Sequence, residues 1–528
     1  MASGGKREVE IVETMEKFGV YQTVQYFLIC LPVMFVTMFN VNYVFVAGEI
    51  NYRCRVPECD DQSTAYPAYK PSWWPDKIID KCTRPMIKQL TGGACTKQSF
   101  SDKGEVCKEW VYETNDTVIA ELNLACQPWK SNMIGAVHNV GLSIAWLASG
   151  YLSDRFGRKP TLILCGVLGG IGLFKAFTTS YFLYIILEFL EGTIGGGCYT
   201  AAMVLMIEIG GVENRVLAGV IFSYAIYVGE TLFALIAMFV PFWKTLIVIV
   251  YSPVIAFLSF FYLIKESPRW ELLNDKTEEA KNTLLYIARV NKININKEKL
   301  LNMTAGNLRG EFKMETYQER ESFRAVIRSR EMMKRTLVAG FCKFTSGFVY
   351  YGLMINSVFL PGSKYTNFML ATVMSYPGEL MSLYFMNKFG RKFPLIYGFL
   401  LCGVLCSACG AVPEDYKAIK VTLFLLGKLI VSVCFTGVIT YTMELFPTSV
   451  RGTMLGVCSV CAGFGSILAP LTPILNQVSI ILPPLIFGAT ALLSGVLLTR
   501  TPETKGAPLM DTIEQLDRTY GQPSSGSS

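Results

Sequence analysis

The sequence predicts an all-α membrane protein: twelve transmembrane helices in two six-helix halves, with a disulfide-bonded extracellular loop domain after helix 1. Three observations carry this. Hydrophobic residues make up 52% of the 528 residues and charged residues only 17%, against about 25% in soluble domains. The apolar residues gather in blocks of about 20, the length a helix needs to cross a bilayer. Three short phrases recur later in the chain at nearly one offset, the mark of an internal repeat.

The twelve blocks are expected at 21–47, 132–152, 160–179, 181–207, 217–240, 244–265, 336–359, 366–387, 393–412, 420–446, 454–475 and 479–500. The opening "MASGGKREVEIVETMEKFG" is charged and polar, and the first block is too long for the apolar core of a signal peptide. That block is therefore expected to be a span. The loop after block 2 carries Arg155, Arg158 and Lys159, and the loop after block 8 carries Lys388, Arg391 and Lys392. The short loops on the other side, near 178, 241–244 and 361–367, hold little charge. By the positive-inside rule the basic loops face the cytosol, and twelve spans place both termini there. The net charge of +7 is then an orientation signal and not a nucleic-acid footprint.

Boundaries follow: a cytosolic N-terminus over 1–20, a first half over 21–265 that includes the extracellular domain 48–131, a cytosolic linker over 266–335, a second half over 336–500 and a cytosolic tail over 501–528. In the linker, 277–291 has helical periodicity and polar caps. The tail "GQPSSGSS" is low in complexity and expected to be disordered.

The repeat has three members. "GYLSDRFGRKP" (Gly150–Pro160) is echoed by "FMNKFGRKFP" (Phe385–Pro394). Glu208 and Arg215 are echoed by Glu444 and Arg451, and "KESPRW" (Lys265–Trp270) more faintly by "TPETKG" (Thr501–Gly506). Repeated membrane halves point to alternating access around a site near the midplane. Gly157 suits a tight turn. Asp154, Arg155, Arg158, Glu208 and Arg215 in one half, with Arg391, Glu444 and Arg451 in the other, are expected to form a cytosolic gate. The alternative is that they only set topology. Asn387 stands where Asp154 does, which weakens the second latch.

The extracellular domain holds Cys54, Cys59, Cys82, Cys95, Cys107 and Cys126, which implies three disulfides among fifteen pairings. Asn115 is a glycosylation acceptor on that side, whereas Asn302 lies in the cytosolic linker and should stay bare. The other ten cysteines read as packing residues. "SWWP" (Ser72–Pro75) is either part of a small lid or a surface for a second copy, so a homo-oligomer through this domain is one reading.

"GYLSDRFGRK", "KESPRW", "YTMELFPTSVRG" and "TPETKG" together resemble the major facilitator superfamily, in particular the organic cation, anion and zwitterion transporters of solute carrier family 22. Sugar porters share versions of three of these phrases. They lack the long outward loop, and "FTSGFVYYG" (Phe344–Gly352) is without their paired glutamines. The resemblance implies the major facilitator fold, a plasma-membrane location, uniport or exchange, and no cofactor.

Ionisable residues inside spans are candidates by default: Glu188 and Glu191 in block 4, Glu230 in block 5, Glu379 in block 8, Lys175 in block 3, Lys343 in block 7 and Lys428 in block 10. The resemblance places a charge selector at Gly463, a carboxylate at Ser375, and a base where Glu379 stands in anion carriers. It also places an arginine where Glu188 stands. The usual selectors are therefore missing, and an acid replaces a base. The reading is a secondary transporter of small organic cations or zwitterions. Glu379 and Glu230 are its candidate counter-charges, and Lys428 is a further candidate at the site. Tyr350, Tyr351, Tyr376 and Tyr199 offer ring faces to a cation, and Asn40 and Asn42 offer hydrogen bonds or helix bridges. The runner-up is an organic anion transporter using Lys343, Lys428 and Lys175. A contrasting class is a non-transporting receptor or assembly protein on a transporter scaffold. His138, the only histidine, is either structural or a proton relay. No Walker sequence, metal-binding cluster or nucleophile triad suggests an enzyme. The expected partners are a small organic ion and the lipid bilayer, with no nucleic acid.

Overall fold

The computed structural model describes residues 18–60, 68–75, 82–88, 95–211, 214–312, 323–413, 415–447, 449–506 and 512–520. Most of the expected N-terminal segment and the low-complexity tail lie outside the described residues. Among the described residues, ten helices are long and apolar enough to cross a membrane. In the first half they are α1 (Val20–Val46), α2 (Pro128–Phe156), α3 (Arg158–Phe177), α4 (Tyr181–Gly210), α5 (Arg215–Phe239) and α6 (Trp243–Leu263). In the second half they are α7 (Arg330–Phe359), α9 (Lys392–Ala411), α10 (Lys417–Leu445) and α11 (Arg451–Gln477).

Two further helical blocks fall at the remaining expected places. The eighth, α8, is split into Lys364–Val373 and Ser375–Phe389. Sequence reading expects one continuous helix there. Pro377 has no N–H to give the carbonyl of Val373, so the ladder breaks at that turn. The twelfth, α12 (Leu482–Leu498), is a shorter apolar helix of 17 residues.

Between α1 and α2 lies a small domain of two antiparallel pairs. β1 (Tyr52–Cys54) pairs with β4 (Trp110–Tyr112), and β2 (Thr83–Ile87) pairs with β3 (Phe100–Val106). Disulfides join Cys54 to Cys107, Cys59 to Cys95 and Cys82 to Cys126. "SWWP" folds into the domain. The Arg53 guanidinium lies over Trp73 and Trp74, at 5.3 and 5.0 Å, and pairs with Asp60. Asn115 is exposed on this domain, and Asn302 is exposed in the linker. The linker helix Thr277–Val290 forms as expected. The Asn291 side chain just beyond it donates to Gln22 and accepts from the Tyr21 amide, tying the linker to the start of α1.

The three repeated phrases converge on one spot in each half. Gly157 has φ +110° and Gly390 φ +100°, a conformation that side chains disfavour. A Cβ on Gly157 would meet Glu266 Oε2 at 2.5 Å, and one on Gly390 would meet Glu503 Oε2 at 2.8 Å. Each glutamate accepts backbone N–H groups at the start of the next helix. Glu266 takes that of Lys159 at 3.1 Å, and Glu503 those of Arg391 and Lys392 at 2.8 and 2.9 Å. A carboxylate there satisfies orphan amides and meets the positive end of the helix dipole. Trp270 Nε1 donates to the carbonyl of Asp154, fastening "KESPRW" to the same turn.

The ion pairs of this face close within each half. Arg158 pairs with Asp154 at 2.8 Å and Glu208 at 3.3 Å, and Arg391 pairs with Glu444 at 3.1 Å. Arg155 instead donates to Tyr151, Arg451 donates to the Phe446 carbonyl, and Arg215 is exposed. On the disulfide-domain side the halves touch directly. Phe45 of α1 meets Tyr365 and Phe368 of α8 at 5.1 Å each.

Gly157→Ala and Gly390→Ala should each cost about 1–3 kcal/mol through backbone strain, read as a lower thermal-unfolding midpoint of purified protein. Lys159→Ala, which keeps the backbone N–H that Glu266 accepts, should shift it much less.

Candidate functional site

Charges inside a membrane need partners, and close helix packing supplies them in the first half. A Cβ on Gly141 of α2 would lie 2.6 Å from the Phe189 carbonyl of α4, and one on Gly192 of α4 would lie 2.5 Å from the His138 carbonyl. Gly169 of α3 meets Gly195 of α4 with the same intimacy, 3.0 Å from a notional Cβ to Cα. These glycines bring α2, α3 and α4 so near that their polar side chains meet.

They meet as one network. Lys175 Nζ lies 2.8 Å from Glu188 and 2.6 Å from Glu191. His138 Nδ1 lies 3.0 Å from Glu188 Oε1, and Nε2 lies 2.8 Å from Asn40 Oδ1. Tyr251 of α6 donates to Glu191 at 2.6 Å and accepts from Asn42 at 2.7 Å. Asn40 also donates to Tyr199 at 2.7 Å, and Tyr199 donates to Thr37 at 2.9 Å. Lys175 and Glu188 are 0% exposed. Ligand atoms of His138, Glu188 and Glu191 gather within 4.8 Å of one another. The Lys175 ammonium occupies the space between the two carboxylates, so this is an internal ion cluster and not a metal centre.

The second polar group spans the two halves. Glu379 of α8 accepts from Thr436 of α10 at 2.6 Å and from Tyr227 of α5 at 3.1 Å. Tyr376 stands beside it, its ring 5.3 Å from Tyr224 and 5.4 Å from Tyr227. With Ser223 of α5 added, the partners of this carboxylate are hydroxyls. Glu230 differs, because Lys428 of α10 is its electrostatic partner. The Lys428 ammonium lies 3.1 Å above the Tyr350 ring and donates to the Tyr350 carbonyl at 3.2 Å. Phe435 packs on the Tyr350 ring at 4.8 Å, and the Tyr351 ring stands edge-on to Tyr350 at 5.3 Å. The arrangement can hold an ammonium between a carboxylate and ring faces. In this state Glu379 is 3% exposed, so the site is closed. A separate cleft of about 400 Å³ between α2, α4 and α11 is lined by Ser143, Trp146, Thr200, Ser459 and Phe464, and the charged candidates lie outside its lining.

The structure gathers Glu379, Tyr376, Glu230, Lys428, Tyr350 and Tyr351 near the interface of the halves. Asn40 and Tyr199 lie half-buried between this group and the His138 cluster. Lys175 is corrected as an anion-binding charge: two carboxylates hold it within the first half. Ser375 lies between Tyr350 and Ser432. At Gly463 a Cβ would come 2.7 Å from Ser143 Oγ, so α11 lies close to α2 there and a side chain at this position would have to turn the Ser143 hydroxyl aside. Sequence reading missed Tyr227, Thr436 and Tyr251. One weak signal was available, since Tyr224 and Tyr227 fall at helical spacing in the span that carries Glu230.

The sequence matches the family model of the Major Facilitator Superfamily over residues 129–470 and 368–511. It is similar to the organic cation transporter protein of Drosophila melanogaster, 28% identical over 519 residues, 96% of this chain and 93% of that one. It is also similar to solute carrier family 22 member 3 of Rattus norvegicus, 27% identical over 540 residues, 95% of this chain and 94% of that one. Its fold is like that of the xylose transporter XylE from E. coli in a partially occluded inward-open conformation. There the TM-score is 0.61 at 15% identity, covering 93% of this chain and 100% of that one.

Lys175→Met leaves two buried carboxylates without their cation and should destabilise the protein by about 3–5 kcal/mol. Adding Glu191→Gln should restore part of the loss, measured as unfolding midpoints in lipid nanodiscs.

Proposed function

The chain belongs to the Major Facilitator Superfamily, and we propose that it is a secondary transporter of small organic cations, zwitterions included. It works across the plasma membrane by alternating access, as a uniporter or exchanger. The observation that carries this reading is Glu379, a carboxylate at the junction of the halves held by hydroxyls and flanked by tyrosine rings. An ammonium arriving there gains a counter-charge that no internal base has claimed. Glu230 is the weaker counter-charge because Lys428 already balances it. The curated relatives named above include organic cation transporters, which supports the same substrate class.

Orientation follows from the basic turns. The faces carrying Arg158 and Arg391 lie in the cytosol with both termini, and the disulfide domain lies outside with Asn115 open to glycosylation. The pairs Arg158–Glu208 and Arg391–Glu444 stiffen each half as a rigid body. The gate then closes by the approach of these two faces. The runner-up, an organic anion carrier, rests on Lys343, which forms no ion pair among the described residues.

Cells expressing the chain should take up labelled tetraethylammonium. Glu379→Gln should lower kcat/KM by about 10–100-fold, the value of a charge-assisted contact, at unchanged surface expression. Anion uptake that ignores Glu379→Gln and vanishes in Lys343→Met would reverse the assignment.

A further inference from the structure

We propose that the His138 cluster is a proton-binding site, and that the proton it holds is exchanged for the organic cation. The second clause rests on the transport reading above; the first does not.

The direction of the hydrogen bonds sets the proton count. Thr37 donates to the Val33 carbonyl at 2.8 Å, and a carbonyl only accepts. Tyr199 must therefore donate to Thr37, and Asn40 must turn its amide N–H toward Tyr199. That leaves the Asn40 carbonyl oxygen facing His138 Nε2 at 2.8 Å, so Nε2 carries a hydrogen. On its other side His138 Nδ1 lies 3.0 Å from a Glu188 oxygen. The contact is an ion-pair distance and not an in-line hydrogen bond; two bare acceptors this close repel, and a hydrogen on Nδ1 turns that repulsion into attraction. A ring between two acceptors is an imidazolium.

Charge balance asks for one proton in the cluster without placing it; the hydrogen-bond directions above place it on His138. Lys175 contributes one positive charge, and Glu188 and Glu191 contribute two negative ones. The groups facing His138 are Asn40, Asn42 and Tyr43 from α1, Lys175 from α3, Tyr184, Glu188 and Glu191 from α4, and Tyr251 from α6. From α11 the contact one turn away is Pro470 against Gly135, which is uncharged. Without a proton on His138 the cluster holds a net negative charge in a fully buried place, which is costly. With it the cluster is neutral.

Asn40 is the link to the substrate. It touches His138 with its oxygen and Tyr199 with its nitrogen, and the Tyr199 ring packs edge-on against Phe222 of α5, the helix that carries Glu230. An organic cation entering beside Tyr199 repels the imidazolium. The proton passes to water admitted with the substrate, and His138 is left neutral. One positive charge leaves as one arrives, so the local charge is conserved. On release of the cation the ring takes a proton back from the opposite side. By linkage the proton weakens cation binding as much as the cation weakens proton binding, which is exchange.

The chain has one histidine, so the test is direct. Full-length protein labelled with 15N-histidine and held in lipid gives one imidazole by solid-state NMR. Two protonated ring nitrogens at pH 7 are expected, with one N–H lost on saturation by tetraethylammonium. A ring with one bare nitrogen in the substrate-free protein would overturn the proposal. In proteoliposomes an acidic interior should drive tetraethylammonium accumulation about tenfold per pH unit, as one-for-one exchange requires. In His138→Gln that accumulation should fall to the level of protein-free liposomes. Wild-type counterflow that ignores the gradient would also overturn the exchange. If no counterflow occurs at all, the transport reading fails, and the NMR spectrum still decides the proton. Should His138→Gln not fold, the two wild-type measurements suffice.

Discussion

An ionised group in hydrocarbon must be balanced where it stands, and the contact of Lys175 with Glu188 and Glu191 is where this chain meets that demand. The rest of the first half follows from it. The three charges come from α3 and α4, so those helices cannot drift apart. Gly141, Gly192, Gly169 and Gly195 let the backbones come close enough for the contacts to form. Larger residues there would separate the charges and leave each to bear its own desolvation. The packing and the electrostatics are one constraint. It makes the first half a body that moves as a unit, which rocking of halves requires.

The two halves share their ends and differ in their middles. At the turns, glycine, arginine and glutamate recur with the same geometry: Gly157, Arg158 and Glu266 in one half, Gly390, Arg391 and Glu503 in the other. Four backbone amides, with Thr504 and Lys505 adding theirs, hold the Glu503 carboxyl below its ordinary range although burial works against its charge. The middles carry no such echo. The first half encloses Lys175, Glu188, Glu191 and His138 in one network with Asn40, Asn42 and Tyr251, whereas the second sends Lys428 over Tyr350 and leaves Glu379 to hydroxyls. Ends that repeat are structural joints; middles that diverge are where the halves do different chemistry.

The legible features were those set by local chemistry. Hydropathy marked twelve blocks, ten of which appear among the described residues as helices long and apolar enough to cross a membrane, and the repeated phrases marked the halves. Six cysteines marked the loop domain but not their pairing, because pairing depends on how β1 to β4 fold together. The break in α8 was written in Pro377, yet a proline alone does not say whether a span kinks or parts. The His138 cluster was illegible as a unit. Its members lie on α1, α2, α3, α4 and α6, and no sequence spacing relates Lys175 to Glu188 or Asn42 to Tyr251. Lys175 therefore looked free for a substrate anion when it was already held. The absence of a selector at Gly463 was visible, but the closeness of Ser143 on another helix was not.

Glu379 also joins the halves mechanically. Its partners are Thr436 from its own half and Tyr227 from the other. A neutral hydroxyl is a weaker partner for a carboxylate than an ammonium is. On the proposal that the substrate cation binds at Glu379, it would compete with Tyr227 and with the Ser223 hydroxyl of the same half, and displacing them would remove ties across the interface. Binding and release of the halves become one event, driven by the difference between the two contacts. Had a lysine claimed Glu379, as Lys428 claims Glu230, the carboxylate would be satisfied without substrate and the tie would not answer to it. Leaving this acid to hydroxyls keeps the site both stable when empty and responsive when filled.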